Sequence, residues 1–135
     1  MIKAEIGFSD RDYTVNITGH AGYAPKGQDI VCAGVSALSS AFLESLITII
    51  GSDYADGLFV ETGDGLFCLG IRGIKNAESE DIVKTLVFML KTGLEQIERQ
   101  YPDYIKFNMF SYPEKGYDND TSEQTMNEKR EEVRG

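Results

Sequence analysis

From Ile30 to Ile50 the chain carries one charge, Glu44, and no proline, while Val31, Val35, Leu38, Phe42, Leu46 and Ile49 recur every three or four residues. That period belongs to a helix. Leu43, Ile47 and Ile50 add apolar surface away from the main stripe, so this helix needs cover on most of its sides, as the centre of a small core or as a contact between copies. Any fold for the chain has to be built around it.

The segments on either side alternate with a shorter period. Ile2, Ala4, Ile6 and Phe8 alternate with Lys3 and Glu5, and Tyr13, Val15 and Ile17 repeat the pattern after the polar link Ser9 to Asp12. Two half-buried strands joined as a hairpin are predicted. A second pair, Gly57 to Thr62 and Leu66 to Arg72, meets at Gly63-Asp64-Gly65, whose Asp-Gly step is a strong hairpin signal. A second helix is predicted from about Ala77 to Gln100, with Glu78, Glu80 and Asp81 at its start, Arg99 at its end and Pro102 beyond, the charge order that suits a helix dipole. Tyr104 to Phe110 reads as a fifth strand. The order ββαββαβ predicts an α+β fold, a two-layer sandwich with a mixed or antiparallel sheet packed against two long helices.

A chain of 135 residues is the size of one domain, with enough length to bury a core. The domain is expected over residues 1–112. Residues 113–135 have few large apolar side chains and seven acids against four bases, the composition of a disordered acidic tail. With 13 Lys and Arg against 22 Asp and Glu, the net charge is −9, which makes nucleic acid a poor partner. No basic-then-apolar leader opens the sequence, and no apolar run is expected to reach the roughly 18–20 residues that span a bilayer. A cytoplasmic protein with no membrane partner is expected. Two cysteines, Cys32 and Cys68, and one histidine, His20, are too few for a disulfide framework or a four-ligand Cys/His zinc cage. No cofactor or metal is expected.

The scarce residues converge on one segment. Gly19 to Asp29 holds glycines at 19, 22 and 27 and a proline at 25, so it is a loop between strand and helix. Asp29 is a favoured N-cap type directly before the helical run, which places Cys32 in the first turn. There the positive end of the helix dipole favours thiolate over thiol. His20 lies twelve residues upstream, and the loop is long enough to fold its imidazole back to the sulfur. Nucleophile and base would then form a pair. First-turn N–H groups offer a place for an oxyanion, Ser36 lies one turn further along the same helix face, and Gln28 and Asp29 are candidates to orient His20. The same residues also admit plainer readings. A cysteine at a helix start is commonly a small core residue, and the glycines could cradle a phosphate, although the Walker spacing is missing. Cys68, in an alternating strand, reads as core.

The run Gly19-His20-Ala21, a glycine-containing spacer, then Gly27 and Asp29-Ile30-Val31-Cys32-Ala33, with Val35-Ser36 beyond, resembles the bacterial ribosomal-processing cysteine proteases called Prp. The resemblance extends in length and element order over about residues 1–110. It implies that His20 and Cys32 are the catalytic pair of a small, cytosolic, homodimeric protease. It also implies a substrate, the N-terminal extension of large-subunit ribosomal protein twenty-seven, and a loop, Ala21 to Gln28, that moves on substrate binding. Gly34 departs from the second alanine common after the family's cysteine, and the acidic tail runs past the usual family end. The alternatives are a phage or mobile-element relative that cleaves a capsid or scaffold protein, and a non-catalytic peptide-binding α/β dimer.

Overall fold

The computed structural model describes residues 1–113; the expected tail lies outside the described residues apart from Pro113. The elements follow the predicted order: β1 (Ile2–Ser9), β2 (Asp12–Thr18), α1 (Ile30–Ile50), β3 (Ala55–Gly63), β4 (Leu66–Ile74), α2 (Ala77–Gln100) and β5 (Ile105–Ser111). They build one sheet in the order β3-β4-β2-β1-β5. Only β1 and β5 pair in parallel, and the other neighbours are antiparallel. The fold is α+β with a mixed sheet.

Register turns the alternation into a buried face. Ile6 pairs with Val15, Val15 with Leu69, Ile17 with Phe67, and Ile2 with Ile105, which places these side chains on one side of the pleat. That side forms the core together with Val31, Val35, Phe42 and Leu46 of α1 and Val83, Val87, Leu90 and Leu94 of α2. Lys3, Glu5, Asn16, Cys68 and Lys106 fall on the opposite side of the sheet. Cys68, expected in the core, is instead half-buried on that opposite face.

Within the chain α1 is not covered on most sides, because Ile30, Ile47 and Ile49 are more than half exposed, which leaves the other expected cover, a contact between copies. Leu38, Leu43 and Ile50, outside the buried stripe, still pack partly against the core. Contrary to the expectation of no membrane-length apolar run, helix α1 is long and apolar enough to cross a membrane by length and composition. Its polar residues are serines, a threonine and one glutamate, too few to bring its average down, although the stripe from Val31 to Leu46 is packed into the core. At the strands the differences are smaller. β3 starts at Ala55 and β4 runs on to Ile74, since backbone pairing continues past the last alternating side chain. The β1–β2 connection tightens to Asp10-Arg11 because Ser9 and Asp12 still pair.

Candidate active site

Helix α1 begins where Asp29 makes it begin. Its Oδ1 accepts the N–H groups of Val31 and Cys32, each at 3.0 Å, which is N-capping by a side chain on two of the orphan donors. Its Oδ2 accepts from Tyr23 at 3.0 Å and Ala24 at 3.5 Å in the preceding loop. One carboxylate therefore ties the loop to the helix start. Burial pushes the Asp29 carboxyl up, but the backbone bonds from Cys32, Tyr23 and Ala24 and the adjacent Cys32 thiol outweigh it and hold the group below the usual carboxylate range. Asp29 stays ionised, with both oxygens engaged by the backbone.

The loop between β2 and α1 is held at both ends. Gly19 takes φ 94°, and a Cβ there would come within 2.6 Å of the Met1 carbonyl oxygen, so the chain can turn out of the sheet only with glycine. Gly22 and Gly27 also have positive φ, and Gln28 donates its N–H to the Pro25 carbonyl at 2.9 Å. Across the loop, the Tyr23 ring packs edge-on against Tyr101, 5.6 Å between centroids, and Tyr104, at 5.2 Å. Aromatic edge contacts of this kind fix orientation as well as burying area.

This frame sets the positions of the scarce residues. The Cys32 sulfur, half-buried, accepts the Ala21 N–H at 3.3 Å. His20 precedes that amide in sequence and is exposed. His20 and Cys32 line one cavity of about 820 Å³, together with Ser36, Glu44, Asp64 and Phe67. Ser36 sits one turn beyond Cys32 on that wall, whereas Gln28 is exposed outside it. No hydrogen bond joins His20 to Cys32.

The arrangement revises one chemical detail. The N–H groups of Val31 and Cys32 point to the Asp29 side chain, and that of Ala33 bonds the Asp29 carbonyl at 3.0 Å. The helix-start amides are thus spoken for, and the amide that meets the sulfur comes from the loop, at Ala21. Sequence spacing gave no sign that the β3–β4 turn belongs to the site. Asp64 Oδ1 stands 3.9 Å from His20 Nε2, and Asp64 Oδ2 stands 3.7 Å from Lys26 Nζ. The Asp-Gly step announced a hairpin, but nothing in it announced which loop the hairpin would meet. Among the described residues, no group of three or more His, Cys, Asp or Glu side chains is arranged to hold a metal ion.

Comparison with known proteins places this geometry in context. The family profile described as cysteine protease Prp matches residues 1–106. The ribosomal processing cysteine protease Prp of Bacillus subtilis is 31% identical over 90 residues, covering 67% of this chain and 79% of that protein. Its counterpart in Staphylococcus aureus is 30% identical over 110 residues, covering 80% of this chain and 98% of the relative. The crystal structure of the S. aureus protease in complex with a covalently linked product peptide superposes with a TM-score of 0.63 at 26% identity, over 81% of this chain and 99% of that one.

Proposed function

Because this chain belongs to the Prp family of cysteine proteases, we propose that Cys32 is its nucleophile, His20 its general base and acid, and the N-terminal extension of large-subunit ribosomal protein twenty-seven its substrate. The observation that carries the reading is the shared cavity: the chain's one histidine and its helix-start cysteine line the same wall, with the Ala21 N–H directed at the sulfur. The covalently linked product peptide on the S. aureus relative supports a covalent route.

In this mechanism the Cys32 thiol gives its proton to His20 and the sulfur attacks the scissile carbonyl carbon. The oxyanion formed beside the sulfur takes the Ala21 N–H, which is already aimed there, as its donor. His20 then passes its proton to the amine nitrogen, the C–N bond breaks, and the N-terminal fragment remains on Cys32 as a thioester. Water attacks that thioester while His20 takes a proton from it. The C–S bond breaks, and acid product and free thiol are restored. In this reading the loop from Ala21 to Gln28 moves on substrate binding and brings His20 onto Cys32.

The reading implies the cytoplasm, where thiols stay reduced, and a homodimer, for which exposed apolar residues such as Ile47, Ile49 and Phe59 supply surface. The net charge of −9 suits a basic ribosomal precursor. Acid quenching during turnover of the extension peptide, followed by intact-protein and peptide mass spectrometry, tests the covalent step. The expected species carries the N-terminal fragment, less one water, on Cys32. Cleavage that proceeds with no adduct, or with an adduct on Cys68, would overturn the assignment.

A further inference from the structure

The β3–β4 hairpin reaches His20 by a definite route. β2 and β4 pair as far as Thr18 opposite Leu66, and the ladder is extended by the Gly19 N–H donating to the Gly65 carbonyl at 2.9 Å. This bond fixes the hairpin tip beside the residue that follows Gly19, namely His20. Gly65 has φ 67°, and a Cβ on it would stand 2.8 Å from His20 Nε2 and 3.1 Å from Cε1. The imidazole therefore rests on a glycine that leaves it room. The preceding residue, Asp64, presents Oδ1 to the same Nε2 at 3.9 Å, while its other oxygen faces Lys26 at 3.7 Å.

A histidine acting as base for a thiol needs one nitrogen unprotonated and turned to the sulfur. The other nitrogen then carries the proton, and its partner sets the tautomer. The obvious partner from the sequence, Asp29, has both oxygens on backbone amides. Gln28 is outside the cavity. Among the described residues, Asp64 is the carboxylate that faces the ring.

We propose that Asp64 is a positioning residue for His20: its carboxylate holds the proton on Nε2 and leaves Nδ1 as the base toward Cys32, with Lys26 anchoring the second oxygen. At 3.9 Å the contact is electrostatic and longer than a hydrogen bond, and a small rotation of either exposed side chain closes it. The proposal rests on the reading of His20 as the base, but its physical core, a carboxylate that fixes a tautomer, is measurable without any substrate.

The single histidine makes the test unambiguous, because every imidazole resonance belongs to His20. In ¹⁵N-labelled wild-type protein at alkaline pH, where the ring is neutral, the nitrogen shifts are expected to report mainly the Nε2–H form, and D64A to move them toward the mixture of an unrestrained imidazole. D64N, which keeps the shape of the turn, is expected to fall between the two, and D64E to restore the wild-type shifts in part. With a fluorogenic peptide spanning the ribosomal extension, kcat of D64A is expected to fall roughly threefold to tenfold, below the 10²–10⁴ attributed to a general base itself, with KM within twofold. Unchanged shifts in D64A and D64N overturn the proposal whatever happens to kcat, since a loss of kcat alone reports only a disturbed hairpin. Changed shifts with unchanged kcat overturn it as well. Changed shifts in a protein that cleaves no peptide uphold the contact and count against the protease reading instead.

Discussion

Asp29 shows how much one residue can fix. Its carboxylate accepts from Val31, Cys32, Tyr23 and Ala24, so the helix start, the loop and the environment of Cys32 depend on a single charged group. Replacing a capping carboxylate with alanine costs about 0.5–2 kcal/mol, and D29A is expected at the upper end because the loop loses its tie too. The pH dependence follows from the direction of the shift. The folded carboxyl lies below its ordinary value of 3.8, so folding favours the ionised form; that stabilisation is complete above the unfolded value and is lost as pH falls through the folded one. Urea unfolding at pH 7 and pH 3 is expected to show a gap between wild type and D29A that is narrower at pH 3. A gap that widens in acid would mean that the carboxylate is not held in its charged form.

Asp29 as cap, and Cys32 in the first turn behind it, were legible because both depend on neighbours within three residues. The placement of Asp64 was not. It lies 44 positions from His20, and only the pairing of β2 with β4 brings the two loops together. The fate of the helix-start amides was likewise hidden, because sequence shows that Asp29 can cap but not that its carboxylate and carbonyl together engage three successive N–H groups.

Among the elements, the two helices differ in what their glycines do. Gly34 in α1 leaves room: a Cβ there would meet only Ile97 Cδ1, at an ordinary 3.5 Å. Gly93 in α2 does not, since a Cβ would lie 2.7 Å and 2.8 Å from the two terminal carbons of Leu38. Helical glycine costs about 0.8–1 kcal/mol relative to alanine, whereas overfilling a packed contact costs about 1–3 kcal/mol. G34A is therefore expected to raise stability by about 0.5–1 kcal/mol, whereas G93A, where overfilling outweighs the same helical gain, is expected to lower it by up to about 2 kcal/mol. Thermal unfolding of the two variants checks this, and an equal response from both would show that the α1–α2 contact does not distinguish them. Helix and strand identities were legible from periodicity. The ends of β3 and β4 were less so, because Ala55 and Ile74 pair beyond Gly57 and Arg72 without an alternating pattern to mark it. How α1 is covered was not legible for a related reason: periodicity reports how much of a helix is apolar, not whether the surfaces that cover it lie within its own chain.

For the whole molecule, the two-layer architecture brings a loop, a helix start and a distant hairpin to one side of the sheet, around a cavity of about 820 Å³. The core leaves that side open because β2 ends and β4 begins there, at Thr18 and Leu66, and the chain must turn away from the sheet through glycine. The motif from Gly19 to Cys32 made the site legible in outline, and the sheet order supplied its third wall. The central claim is that this site cleaves a peptide through Cys32 with His20 as its base. The most direct measurement incubates wild type, C32A and H20A with a peptide spanning the N-terminal extension of the host's ribosomal protein twenty-seven and reads the products by mass spectrometry, with circular dichroism confirming that each variant is folded. Cleavage at one bond by the wild type, none by C32A and a loss of about 10²-fold or more in H20A is the predicted result. Undiminished cleavage by folded C32A would contradict it.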